Sequence, residues 1–295
     1  MDAAKEKRAI DYLKMFEPET EPYFLCYSGG KDSDTIRILA QLAGVKHDIV
    51  NNHTTVDAPE TVRYIRSIPN VIIERPEKTM WQLIEEKGMP PTRIVRYCCA
   101  ELKEHGGKGR VKITGVRKEE SVARAANAGL VKIIGKPKTV EKMAKTQGVE
   151  YQKTPKGGII LNHDNAESRQ VVEQCYRTTS TLINPIVDWT HNDVWDFLRH
   201  YGCDSNPLYQ CGFSRVGCVG CPLGGYKSMK KEFARYPKYK ENYIKAFDRM
   251  IARRMDKGLP AVWNSGEECF TWWIGDDPNQ LSFDDYYDED WALIK

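Results

Sequence analysis

Long apolar runs are missing from this 295-residue chain. None approaches the roughly 20 residues that a membrane-spanning helix needs, which excludes a helical membrane protein. A secretory leader is also missing, because the opening MDAAKEKRAIDYLKMF is charged throughout and reads as an amphipathic helix. Charge of one sign does not dominate. A formal net charge of +3 is too small to argue alone for nucleic acid or a membrane surface, although a basic cluster on one face is compatible with it. Internal repeats and low-complexity tracts are absent. What remains is an ordinary globular composition, 41% hydrophobic and 29% charged. The expected location is therefore cytoplasmic. The length suits one large α/β domain, or one of about 200 residues with a smaller appendage.

Nine cysteines stand out against that background: Cys26, Cys98, Cys99, Cys175, Cys203, Cys211, Cys218, Cys221 and Cys269. In a reducing compartment they do not suggest a disulfide framework, and clustered thiols point to metal or catalysis. Cys218-Val-Gly-Cys221-Pro is a C-x-x-C, and Cys98-Cys99 is an adjacent pair just before a predicted strand. Thiolates suit soft metals and iron–sulfur clusters, and a [4Fe–4S] cluster takes four of them. Zn²⁺ in a thiolate tetrahedron is the alternative metal. Cys26 and Cys175 read as core residues.

Short apolar runs alternate with helical patterns. Strands are expected at 23–27, 47–51, 71–74 and 111–114, with helices at 33–43, 59–67 and 79–87 and another starting near Glu119. This alternation implies an α/β fold with a parallel sheet and helices on both faces. Ligands of such sheets bind at the carboxyl ends of the strands. The expected division is an α/β domain over 1–205 and a small C-terminal cysteine-containing module over 206–295. Residues 127–157, rich in lysine and glycine, read as an insertion or lid, and the acidic stretch from Asp276 to Asp290 as a solvated tail.

The sharpest local signal is Ser28-Gly29-Gly30-Lys31-Asp32-Ser33, between a predicted strand and a predicted helix. Two glycines let backbone N–H groups approach an anion, and the helix N-terminus adds partial positive charge. Ser28 and Ser33 can donate to phosphate oxygens, and Lys31 supplies a full charge. Asp32 suits a Mg²⁺ ion or a helix cap. The sequence is not a Walker loop, whose lysine follows a longer glycine-spaced loop.

SGGKDS after a first strand resembles the PP-loop ATP pyrophosphatases, of adenine nucleotide alpha hydrolase-like fold, which split ATP to AMP and pyrophosphate to adenylate a substrate. From about Tyr23 to Leu223 the chain resembles one branch, the phosphoadenosine-phosphosulfate (PAPS) reductase family. His53-Thr54-Thr55 with Pro59-Glu60-Thr61, Cys98-Cys99 with Lys103, and Gly115-Val116-Arg117 with Ser121 and Arg124 follow in that family's order. Asn184-Pro185-Ile186 with Asp188-Trp189-Thr190 and Asp193-Val194-Trp195 completes the series. The resemblance implies nucleotide binding by residues 28–33, Thr54, Gly115, Arg117 and Arg124, with Lys31, Asp32 and Arg117 catalytic. Arg117 and Arg124, seven apart, are expected near one face of a helix, where two guanidinium groups suit phosphate or sulfate. Trp189, Val194, Trp195 and Leu198 are expected in the core.

Four cysteines as C-C…C-x-x-C resemble the cluster ligands of iron–sulfur adenylylsulfate reductases. Cys211-x6-Cys218-x2-Cys221 resembles a run in the DNA-phosphorothioation sulfurtransferases of the superfamily. Candidate metal ligands are thus Cys98, Cys99, Cys218 and Cys221, with Cys211 as substitute. The resemblance leaves two reactions: ATP pyrophosphatase activity that adenylates a substrate for sulfur transfer, or reduction of a sulfonucleotide (APS or PAPS) with release of sulfite. The intact loop favours the first. Reductases end in a mobile Glu-Cys-Gly tail, whereas Glu268-Cys269 here runs into Phe270-Thr271-Trp272-Trp273 and reads as packed. A nucleotide- or redox-sensing subunit working with a nucleic-acid-binding partner is a third class. The expected partners are a nucleotide, a sulfur donor or thiol reductant protein, and nucleic acid at the lysine-rich 131–156 or the aromatic, basic 226–245.

Overall fold

The structure is a computed structural model that describes residues 2–260 and 262–277. In chain order its elements begin with α1 (Ala3–Met15), β1 (Tyr23–Cys26), α2 (Lys31–Ala43), β2 (His47–Asn52), α3 (Pro59–Ser67), β3 (Val71–Glu74), α4 (Met80–Lys87) and α5 (Tyr97–Leu102). There follow β4 (Val111–Ile113), α6 (Val122–Asn127), β5 (Val131–Ile134), α7 (Pro137–Thr146), β6 (Gln152–Lys153) and β7 (Ile159–Leu161). The chain continues through α8 (Ala166–Cys175), β8 (Ser180–Ile183), α9 (His191–His200), α10 (Tyr226–Arg235), α11 (Pro237–Asp256) and α12 (Gly266–Trp273). Among the described residues no helix is long and apolar enough to cross a membrane.

Two compact units divide these elements. The first takes residues 1–53, 59–75 and 105–217, and the second 54–58, 76–104 and 218–295. The expected contiguous division at 205/206 therefore differs from the folded one, because two short early segments pack with the C-terminal helices. The acidic tail from residue 278 onward lies outside the described residues.

In the first unit an eight-stranded sheet runs β3-β2-β1-β4-β8-β5-β7-β6. β3, β2, β1, β4 and β8 are parallel neighbours, in agreement with the α/β reading. β1 is apolar on both faces, with Tyr23, Phe24 and Leu25 buried, as a central parallel strand between helical layers must be. α2 packs through Ile36, Leu39, Ala40 and Ala43, spaced i, i+3, i+4 and i+7, and ends at Gly44. On α9, Val194 and Leu198 enter the core with the preceding Trp189, Trp195 is only half-buried against it, and Thr190 caps the helix by accepting from Asp193 N–H.

Residues 127–157 are not a lid. Their strand β5 runs antiparallel to β8, with Val131 opposite Ile183, and β7 and β6 extend the same sheet. Val131 and Ile133 are fully buried, and α7 seats Val140 and Ala144 in the same core. The lysines between those residues point outward and mask a short two-residue alternation. The sheet is therefore parallel over five strands and antiparallel over three.

The second unit is helical. α11 buries Tyr243, Ala246, Phe247, Met250 and Ile251 along one stripe. Tyr243 meets Trp81 edge-on at 4.8 Å and Trp273 at 4.7 Å, and Phe233 meets Phe270 at 4.9 Å. Each such buried ring contributes about 1.5–3 kcal/mol through area removed from water. Trp273 donates its indole N–H to Pro91 O at 2.6 Å, tying the 76–104 segment to α12.

A mobile lid would tolerate truncation at Ile133, whereas a core strand would not. Ile133→Ala is expected to lose about 2–4 kcal/mol of unfolding free energy in urea titrations. A loss within experimental error would remove β5 from the core.

Candidate functional site

β1 has β2 on one side and β4 on the other, so the strand order reverses there and a crevice opens beyond the carboxyl ends of the two strands. The loop after β1 carries Ser28 to Ser33, and the segment after β4 carries Gly115 and Arg117. Gly29 has φ +71, and a Cβ on it would meet Ile65 at 2.8 Å, so the turn needs glycine. A Cβ at Gly115 would stand 2.9 Å from the main-chain oxygen of Asp32. Only the missing side chain lets the two segments meet.

The loop is locked from within. Gly30 N–H donates to Ser33 Oγ at 3.0 Å, Ser33 Oγ donates to Gly30 O at 2.7 Å, and Ser28 Oγ donates to Ser33 Oγ at 3.3 Å. Ser33 thereby locks the entry to α2, whose first-turn N–H groups other than that of Lys31 stand at the positive end of the helix. Asp32 sits between two cations. Lys31 Nζ lies 2.8 Å from Oδ2 and Arg117 Nε 2.7 Å from Oδ1. Both cations are buried, and Arg117 also reaches Glu119 at 2.9 Å and Trp189 O at 3.3 Å. Thus Ser28, Gly29, Gly30, Lys31, Asp32, Ser33, Gly115 and Arg117 converge.

Arg124 does not join them. A short 3₁₀ turn at Lys118–Glu120 is followed by Ser121 with extended backbone (φ −174), so no continuous helix carries both arginines. Arg124 is instead half-exposed and pairs with Glu120 at 3.7 Å. Thr54 belongs to the second unit, with the cysteines.

Three residues at this site were not anticipated. Tyr209 Oη accepts from Lys31 N–H at 2.9 Å. Asn206, fully buried, donates to Gly29 O and to Thr61 Oγ1, each at 3.1 Å. Asp34, also fully buried, accepts from Tyr27 Oη at 2.7 Å and Tyr64 Oη at 2.9 Å. Asn206 and Tyr209 are remote in sequence from the loop they brace, and only a buried-type Asp inside the SGGKDSD run hinted at Asp34.

The cysteines gather in the second unit. Cys98 and Cys99 lie on α5, while Cys218 forms an antiparallel bridge with Asp57 and Val219 N–H donates to Val56 O at 2.8 Å. Cys218 Sγ donates to Thr54 Oγ1 at 3.4 Å, and Thr54 N–H donates to Asp57 Oδ2 at 2.8 Å. Thr55 has φ +65, uncommon for a β-branched residue, and its hydroxyl accepts from Met80 N–H at 2.9 Å. Tyr243 Oη donates to Val219 O at 3.0 Å and Tyr239 Oη to Asp57 O at 2.8 Å, bracing the loop from α11.

The hydrogen bond to Cys99, together with burial, pushes the Cys98 thiol up, whereas that same bond, aided by Arg96 and Lys103, holds Cys99 down. Cys218 is pushed up by burial, and its charge raises the Lys103 ammonium. Two cations thus face the thiol set, the compensation that a bound polyanionic centre needs. Among the described residues, however, no group of three or more His, Cys, Asp or Glu side chains stands close enough to hold a single metal ion. Cys211 lies on an exposed turn of the first unit, so these residues divide four to one between the units. Cys269 is fully buried on α12 and its thiol is pushed up by burial, as the packed reading expected.

A family model for the phosphoadenosine phosphosulfate reductase domain matches residues 22–223. The chain belongs to that family. An uncharacterised protein of Methanocaldococcus jannaschii is 24% identical over 82% of this chain and 45% of its own length. An adenosine 5′-phosphosulfate reductase of Allochromatium vinosum is 44% identical over 13% of this chain and 15% of its own. The chain spans about half the length of the first curated relatives it matches, from 37% to 52%. Among solved structures, a PAPS reductase from Candida auris in a phosphate complex has 14% identity and a TM-score of 0.42, covering 71% of this chain and 87% of its own.

Asp34 gives this family member a pH signature. Burial raises its carboxyl to about 6, against the opposing pull of Tyr27, Tyr64 and Arg37. Because the folded value lies above the unfolded one, the folded state binds the proton more tightly. Stability is then full below about pH 4 and declines as pH rises through about 6, by at most about 3 kcal/mol. Asp34→Asn should flatten the unfolding free energy between these limits. An unchanged slope would assign the dependence to other groups.

Proposed function

We propose that this PAPS reductase-family domain binds ATP at Ser28–Ser33 and cleaves it to AMP and pyrophosphate, adenylating a substrate for sulfur transfer. The observation that carries this reading is the Lys31–Asp32–Arg117 arrangement at the N-terminus of α2. Phosphates placed there meet the first-turn N–H groups and Lys31, and Asp32 offers a carboxylate to Mg²⁺. A substrate oxygen attacks the α-phosphate, its bond to phosphorus forms, and the bond to the bridging oxygen of pyrophosphate breaks. Lys31 and the helix terminus stabilise the charge that develops on the phosphoryl oxygens. Arg117, held by Glu119 and Trp189 O, keeps Asp32 oriented.

Cys98, Cys99, Cys218 and Cys221 are the residues that would hold a [4Fe–4S] cluster, with Arg96 and Lys103 balancing its charge. Zn²⁺ on the same four thiolates is the alternative metal. Bound there, the cluster would supply a site for holding sulfur or electrons.

The alternative, sulfonucleotide reduction, is favoured by the segment similar to the Allochromatium enzyme. Against it, Cys269 is buried rather than available to attack a sulfonate. As acceptor, nucleic acid fits the exposed Lys138, Lys142 and Lys145, which share one face of α7 at i, i+4 and i+7.

Two measurements test the proposal. Lys31→Ala is expected to lower pyrophosphate release by about 10²-fold or more with little change in melting temperature. Release at the wild-type rate would remove Lys31 from the chemistry. Protein purified without oxygen should carry about four irons and a broad visible absorbance. Cys218→Ser should lose both; retained iron would point to a ligand set without Cys218.

A further inference from the structure

A cavity of about 640 Å³ opens in the first unit, where the C-terminal halves of α2 and α3 meet the segment after α9. Its size lies in the range of small-molecule sites, which run from about 300 to 1,000 Å³. Much of its wall is apolar, from Ile38, Leu42, Ile68 and Pro69. Arg37 is its one cation, with a side chain only 13% exposed.

That guanidinium is poorly satisfied. Asp34 Oδ1 lies 3.8 Å from Nε, too far for a hydrogen bond, and both Asp34 oxygens already accept from Tyr27 and Tyr64. Nη2 has only the sulfur of Cys203, at 3.9 Å. Among the described residues Nε meets no hydrogen-bond acceptor. Nε itself is out of reach of solvent, but an arginine carries five N–H donors, and those its neighbours leave unmade at the cavity wall suit an oxyanion. A partnered surface arginine would not create this demand, and an apolar groove alone would not select charge.

We infer that this cavity is a binding site for a small amphiphilic oxyanion, its carboxylate, sulfonate or phosphate head on Arg37 and its apolar body against Leu42, Ile68 and Pro69. Asp204, exposed at the rim, repels a second negative charge, so a singly charged head is preferred. The site is separate from the SGGKDS loop and does not depend on the reaction proposed there.

Hexanesulfonate is the probe, with hexanol lacking the head and inorganic sulfate lacking the body. Calorimetric titration of the full chain should give saturable, one-to-one binding of hexanesulfonate, at least tenfold tighter than either fragment. Arg37→Met, similar in length but uncharged, should weaken it about tenfold or more, and Arg37→Lys should recover part of the loss. Leu42→Trp, at a half-exposed position that tolerates bulk, should block the cavity while keeping the charge. Melting curves establish that each variant is folded. No saturation with wild type, hexanol binding as tightly as hexanesulfonate, or undiminished binding to folded Arg37→Met would each overturn the assignment.

Discussion

The contact on which the first unit depends is the approach of the β4 exit to the first turn of α2. A side chain at Gly115 would collide with the main chain of Asp32, and without one Arg117 can close onto the Asp32 carboxylate. Two strands that are neighbours in the sheet but far apart in sequence are thereby joined at their carboxyl ends. Sheet order creates the crevice, and the ion pair gives it a floor of alternating charge. Such a buried pair is weak evidence for stability, because desolvation offsets much of the Coulomb gain. Its value here is orientation: a carboxylate between two cations has one direction in which to face.

Around that contact the polar groups form a connected brace. Asn206 holds Gly29 and Thr61, Tyr209 holds Lys31, and Asn184, buried, joins the Thr114 hydroxyl to Gly129 O. Each places an obligatory hydrogen bond where a loop would otherwise expose main chain to a dry interior. The second unit uses a different device. Its thiol-bearing loop is held by tyrosine hydroxyls from α11 and by a single β-bridge, over an aromatic core. Rigid support beneath these thiols keeps their spacing independent of side-chain motion.

Local order was legible where one physical rule governs a whole segment. β1 and α2 follow from an apolar run and a 3.6-residue stripe, and the glycine pair between them announces the tight turn that joins them. The core role of Trp189, Val194 and Leu198 follows in the same way. Segment 127–157 misled because β5 has four residues and β6 two, too few to establish a period, and because their outward lysines dominate composition. Arg117 and Arg124 misled for another reason. Spacing of seven implies a shared face only if the helix is continuous, and Ser121 interrupts it.

By itself the sequence determined the α/β class, the glycine turn between β1 and α2 and the grouping of thiols into a pair and a C-x-x-C, since each rests on residues close together in the chain. Tertiary structure alone decided that Arg117 meets Asp32 while Arg124 does not. It also placed Thr54 and Asp57 beside Cys218 and left Arg37 lining a cavity, ion-paired with Asp34 at 3.8 Å but with no hydrogen-bond acceptor for Nε among the described residues. Those outcomes depend on which distant segments are brought together, and the free energy that brings them together is non-directional burial of apolar surface, which one-dimensional spacing does not encode.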